Sequence, residues 1–133
     1  MTRGAYGRPG HKRDDQGQAA VELALVLPLV AVLALMLVQV ALVVRDQVLV
    51  IHAAREAARA AAVSPESDAA GEAARAGASL EPSRLEIDVS GRGQPGSRVQ
   101  VELRYISPTE VPLVGPLVGD VTLSGSAAMR VER

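Results

Sequence analysis

The chain has 133 residues, with 14 Lys and Arg against 15 Asp and Glu and a formal net charge of −1. So even a balance offers no basic surface for nucleic acid, and aromatic and basic residues are nowhere interleaved. With no Cys, Phe or Trp and only two Tyr, there is no disulfide framework, thiolate nucleophile or zinc cluster, and any core must be built from Val, Leu, Ile and Ala.

Residues 1–16 are rich in Gly, Arg and Asp and have almost nothing to bury, which predicts a disordered leader. The next stretch organises the rest. From Leu23 to Val44 the chain runs 22 residues without a charge, and Gln39 is the one strongly polar side chain in it. At ~1.5 Å per residue a helix of this length crosses the ~30 Å hydrocarbon core of a bilayer. Lipid offers no partner for an open backbone N–H or C=O, so a helix is the single-segment solution. The run exceeds the ~7–15 apolar residues of a secretory signal, and it ends in Val-Val-Arg-Asp rather than at a small-residue site, so a retained anchor is expected. Arg3, Arg8, Lys12 and Arg13 precede it, while Arg45 beside Asp46 is the one basic residue immediately after. The positive-inside bias therefore predicts a cytoplasmic N-terminus and residues 45–133 outside.

Gly17 and Glu22 stand at the entrance to this run. A carboxylate in the first turns suits the helix dipole, yet close to hydrocarbon it is costly and usually has a partner. Pro28 lacks an N–H, so the carbonyl of Ala24 loses its helical bond and a kink in the membrane helix is expected there. Beyond the span, Arg45–Ala62 contains no Gly or Pro, and Val44, Val48, Ile51, Ala54, Ala58 and Ala62 recur on one face. One helix over 18–62 is expected, stopped by Ser64-Pro65. His52, Glu56 and Arg59 share its exposed side. Residues 69–78, AAGEAARAGA, repeat AAREAARAAA at 53–62 at eight of ten positions, with Gly71 and Gly77 in place of Arg and Ala, which predicts a second, shorter helix.

From Leu85 the period changes to two. Leu85, Ile87 and Val89, then Val99, Val101, Leu103 and Tyr105, then Val121, Leu123, Ala127, Met129 and Val131 alternate with polar or small residues. GRGQPG at 91–96 reads as a hairpin connection. These stretches predict a three-stranded antiparallel sheet with one apolar face, too small to stand without the outer helix or a neighbouring subunit. Between the second and third strands, the prolines of SPTEVPLVGPLVGD forbid regular structure, while Val111, Leu113, Val114, Leu117 and Val118 are too apolar for an ordinary solvated loop. Two readings stand: a flap over the open face of the sheet, or a docking or lipid-touching loop. The fold class is α+β, divided into a leader (1–17), a transmembrane and extended helix (18–62) and an extracytoplasmic module (63–133).

No nucleophile elbow, phosphate-cradling glycine loop or His-carboxylate constellation is present. His11 and His52 lack a second imidazole nearby, and Glu86 and Asp88 read as the solvated face of a strand. No enzymatic activity, cofactor, metal or small-molecule substrate is expected.

In its motifs the chain resembles the TadE-like pilus-assembly proteins, pseudopilins of tight-adherence (Flp-type) pilus systems. The resemblance rests on G-x-x-x-x-E at Gly17–Glu22, the apolar run with Pro28, Ala-Arg-Glu-Ala-Ala-Arg-Ala-Ala-Ala at 54–62 and the strand-rich tail ending Ala128-Met-Arg-Val-Glu132. It implies cleavage by a prepilin-type peptidase between Gly17 and Gln18, leaving Glu22 as the fifth mature residue, near enough to neutralise the new α-ammonium. One departure is Leu23, where Flp-type sites usually carry an aromatic. The resemblance further implies a minor pilin or pseudopilin of the cytoplasmic membrane. Its partners would be the peptidase, other pilins and the assembly platform. The alternative is a membrane-anchored extracytoplasmic binding module that enters no pilus, with the helix as a tether.

Overall fold

Between His11 and Val63 only Gly17 and Pro28 oppose helix, and the rest is dominated by Ala, Leu, Val and long polar side chains. In the computed structural model, which describes residues 11–66 and 68–132, this whole stretch is one helix, α1 (His11–Val63). At ~1.5 Å per residue it is about 80 Å long. It passes through Pro28 uninterrupted and stops where Ser64 donates its N–H to Ala60 O, just before Pro65. Residues 11–16 of the expected disordered leader are helical instead. Gly17 is the one poor helix former between them and the apolar run, and its cost of about 1 kcal/mol is too small to stop the helix propagating backwards. Residues 1–10 of that leader lie outside the described residues.

A second helix, α2 (Ala69–Ala76), follows and packs on α1 with Ala70, Gly71 and Ala74 buried. It is the shorter copy of the repeated alanine-rich motif. Ala53, Ala54, Ala57, Ala58, Ala61 and Ala62 of α1 are buried as well, and side chains this small let backbones approach closely.

A turn of 3₁₀ helix (Pro82–Arg84) leads into β1 (Leu85–Ser90), β2 (Arg98–Ser107) and, after a four-residue helix α3 (Gly115–Val118), β3 (Val121–Arg130). The sheet is antiparallel with order β1-β2-β3. Register places Val89 opposite Val101, Ile87 opposite Leu103, and Leu85 opposite Tyr105. On the other side of β2, Val99 faces Met129, Val101 faces Ala127, and Leu103 faces Gly125. Every apolar residue expected to point inward does join or pack on the core. The β1–β2 turn needs Gly91, whose φ is 72° and whose position leaves only 2.5 Å between a would-be Cβ and Arg98 O.

What covers that sheet face is α1. The two come close at Gly125, where an added Cβ would sit 3.1 Å from Val50 Cγ1, 3.2 Å from Val50 O and 3.3 Å from Ile51 Cα. The buried stripe agrees with the expected one at Ala54, Ala58 and Ala62 and departs from it at the other three positions. Val44 and Val48 are exposed and Ile51 is half-buried, whereas Val50, Ala53, Ala54, Ala57 and Ala58 are fully buried. The reason is that α1 is gripped from two directions, by the sheet and by α2. Periodicity locates a single face, and a helix wedged between two neighbours buries a wider arc.

Candidate functional site

The two halves of α1 have opposite environments. From Gly17 to Val38 every residue is exposed except Val32 and Leu35, which are half-buried, and the first buried side chain is Gln39. This exposed stretch includes Leu23, Leu25, Leu27, Leu29, Val30 and Leu33. It holds the one helix among the described residues that is long and apolar enough to cross a membrane. A core helix of a soluble protein would be mostly buried. Here almost none of the apolar window is, and so large an exposed apolar surface implies a lipid or protein environment.

At the entrance to the apolar run, Gln18 Nε2 donates to Glu22 Oε1 at 3.3 Å, and both side chains are exposed. Gly17 lies in the helix with open space around it: an added Cβ would meet nothing within 4 Å. The fold does not require glycine there, and a glycine inside a helix costs about 1 kcal/mol relative to alanine. Its presence therefore calls for a reason outside this chain's own packing.

Where α1 meets the module, a set of polar contacts joins positions far apart in sequence. Asp46 Oδ2 accepts the hydroxyl hydrogen of Ser107 at 2.8 Å, with Ser107 buried. Gln47 Nε2 donates to the carbonyl of Ser124 at 2.9 Å. Gln39, 4% exposed, donates from Nε2 to Thr109 Oγ1 at 3.4 Å, and that hydroxyl donates in turn to Gly119 O. Sequence reasoning singled out Gln39 only as the polar interruption of the apolar run and missed the rest. Asp46 and Gln47 are ordinary surface residues by type, and only the long-range pairing reveals them.

The Asp46–Ser107 bond makes a direct test. Asp46→Ala strands a buried hydroxyl and is expected to destabilise the module by about 1–3 kcal/mol, whereas Asp46→Ala with Ser107→Ala removes both partners and recovers most of that loss. Thermal unfolding in detergent reads both. If the losses of Asp46→Ala and Ser107→Ala simply add in the double variant, the bond contributes nothing.

The candidate docking residues divide. Val111 and Val114 are buried, outside the main core, while Leu113, Leu117 and Val118 are exposed. The flap over the sheet is thus not the observed arrangement, because α1 and α2 already occupy that space and the connection packs instead near Gln39. At the opposite end of the module, Arg59, Ala62, Gly96, Met129, Arg130 and Glu132 line an open groove. Among the described residues no group of three or more His, Cys, Asp or Glu could hold a metal ion, and His52 is exposed on α1.

These features define a class: a protein with one long apolar helix fit to span a membrane, continuing into a small α+β module built against its second half. A family model described as TadE-like protein matches residues 17–59. Over that stretch the chain is similar to TadE-like proteins, and the match begins at Gly17, takes in Glu22 and the apolar run, and ends within the buried half of α1. The strand-rich tail, which also entered the resemblance read from sequence, lies beyond the matched residues. Comparisons with curated proteins and with solved structures give no match.

Proposed function

We propose that the chain is a minor pilin or pseudopilin-like membrane protein that acts in assembly of a tight-adherence (Flp-type) pilus or a related secretion apparatus. The observation that carries this reading is the TadE-like match falling on an exposed apolar stretch of α1 with Gly17 and Glu22 at its entrance. In this role the protein is structural rather than enzymatic. It sits in the cytoplasmic membrane with its N-terminus inside, and a prepilin-type peptidase cuts between Gly17 and Gln18.

A glycine weakens α1 at the cut, so the chain can leave the helix and enter a protease cleft extended. Cleavage creates an ammonium at Gln18, one turn from Glu22, whose carboxylate can neutralise it at the membrane boundary. The exposed apolar faces then pack laterally against other pilins or the assembly platform.

Intact mass tests this reading. In cells that express the cognate peptidase, the chain is expected to lose residues 1–17. A full-length chain would instead favour the tethered binding module. Orientation is checked separately, and the absence of native cysteine makes single substitutions unambiguous. Gln94→Cys should react with an impermeant thiol reagent on intact cells while Thr2→Cys does not, and the reverse pattern would place the module inside.

A further inference from the structure

We propose that the connection between β2 and β3 is an interfacial membrane anchor, with Leu113, Leu117 and Val118 seated in lipid at the boundary of the bilayer that α1 crosses. The apolar run is bounded by Glu22 and Arg45, and about 20 residues from Leu23 fill the hydrocarbon core, which ends near Leu42. Gln39 lies inside that limit. Its side chain is 4% exposed while those of Val38 and Val40 are 52% and 59% exposed, so only the Gln39 side of the helix is covered. The group bonded to it is Thr109, and Thr109 also takes the Asp120 carboxylate on its N–H. The connection is therefore tied to α1 level with the edge of the hydrocarbon.

Composition and backbone agree with that depth. Val111 to Gly119 carries no charge, and Glu110 and Asp120 stand at its two ends. Inside lipid a backbone N–H must find its partner within the protein. Pro112 and Pro116 have none to satisfy. Val114 and Gly115 donate to Val111 O, Leu117 and Val118 to Val114 O, and Gly119 to Gly115 O. Five of the seven N–H groups from Val111 to Gly119 are thus bonded inside the connection, more than a solvated loop needs.

The side chains separate into two groups. Val111 and Val114 turn inward, whereas Leu113, Leu117 and Val118 are 65%, 71% and 51% exposed. Leu113 has φ 68°, the one left-handed residue among the described non-glycines. Such backbone strain persists where the surroundings over-determine it and is often tied to function. Here it holds an exposed leucine that contributes nothing to the protein's own core. Burial in lipid accounts for that residue, and the membrane is already at hand.

The chain has no tryptophan, so a single introduced one reports its own surroundings. The full chain carrying Leu117→Trp, and separately Val118→Trp, is reconstituted in phosphatidylcholine vesicles with or without brominated acyl chains. Emission is expected to fall by about half or more with bromine and to resist aqueous iodide, as for an interfacial tryptophan. Asp88→Trp, on the solvated face of the sheet, should respond in the opposite way. Quenching of both loop reporters by iodide alone, or by neither agent as under a protein partner, would overturn the proposal. The inference rests on α1 crossing the membrane, so Leu33→Trp is run in parallel. Bromine quenching at Leu33 without quenching at Leu117 or Val118 would sink the anchor and leave the span intact.

Discussion

Gly17→Val is expected to abolish removal of residues 1–17, so that cells expressing the cognate peptidase accumulate only the full-length chain. The branched side chain crowds an extended backbone at the scissile position, yet it cannot disturb the fold, because nothing lies within 4 Å of an added Cβ at Gly17. A block to cleavage would therefore report recognition and not misfolding. Glu22→Ala should behave differently: cleavage proceeds, and incorporation into the assembled apparatus drops. Glu22→Gln keeps an acceptor for Gln18 but removes the charge. If neutralisation of the new ammonium is what matters, it should resemble Glu22→Ala. Mass spectrometry of the membrane fraction and co-purification with the assembly platform separate the two steps. Processing of Gly17→Val at the wild-type rate would remove the maturation mechanism.

The second large effect lies at the helix–sheet crossing. Val50 is fully buried against the sheet, and its backbone lies 3.2 Å from where a Cβ on Gly125 would stand. Val50→Asp places an unpaired carboxylate in an alanine- and valine-lined interior, at a cost of several kcal/mol. A module of this size has ~5–15 kcal/mol of total stability, so separation of sheet from helix is expected. Gly125→Val should produce the same result by steric means, because the atoms it meets include backbone that cannot rotate away. Amide exchange on the full chain in lipid nanodiscs would read this as lost protection throughout β2 and β3, with residues 17–38 still protected by lipid. Asp88→Ala, on the solvated face, should change little. Retained protection in Val50→Asp would mean that the sheet folds without α1.

Much of this was legible in the sequence because the relevant signals are local. An uncharged run of 22 residues specifies a helix of membrane length wherever it is placed. Strict alternation from Leu85 to Val131 specified three strands and their inward faces, since side chains two apart share a face whatever the sheet packs on. Gly17 and Glu22 were visible for the same reason, as residue types at a spacing that resembles one family.

Tertiary structure decided the rest. Which side of α1 is buried depended on having two neighbours, the sheet and α2, and so the arc moved from Val48 and Ile51 to Val50, Ala53 and Ala57. The glycine in β3 that admits the helix could not be read as such, because Gly125 matters only through a backbone 75 residues away. The bonds of Asp46 to Ser107 and Gln39 to Thr109 span 61 and 70 residues, and no periodicity encodes a pairing of that range. The fate of the apolar connection followed from the same cause. Its composition said that it must be covered, but once α1 had occupied the sheet face, only two of its five apolar residues found cover within the protein.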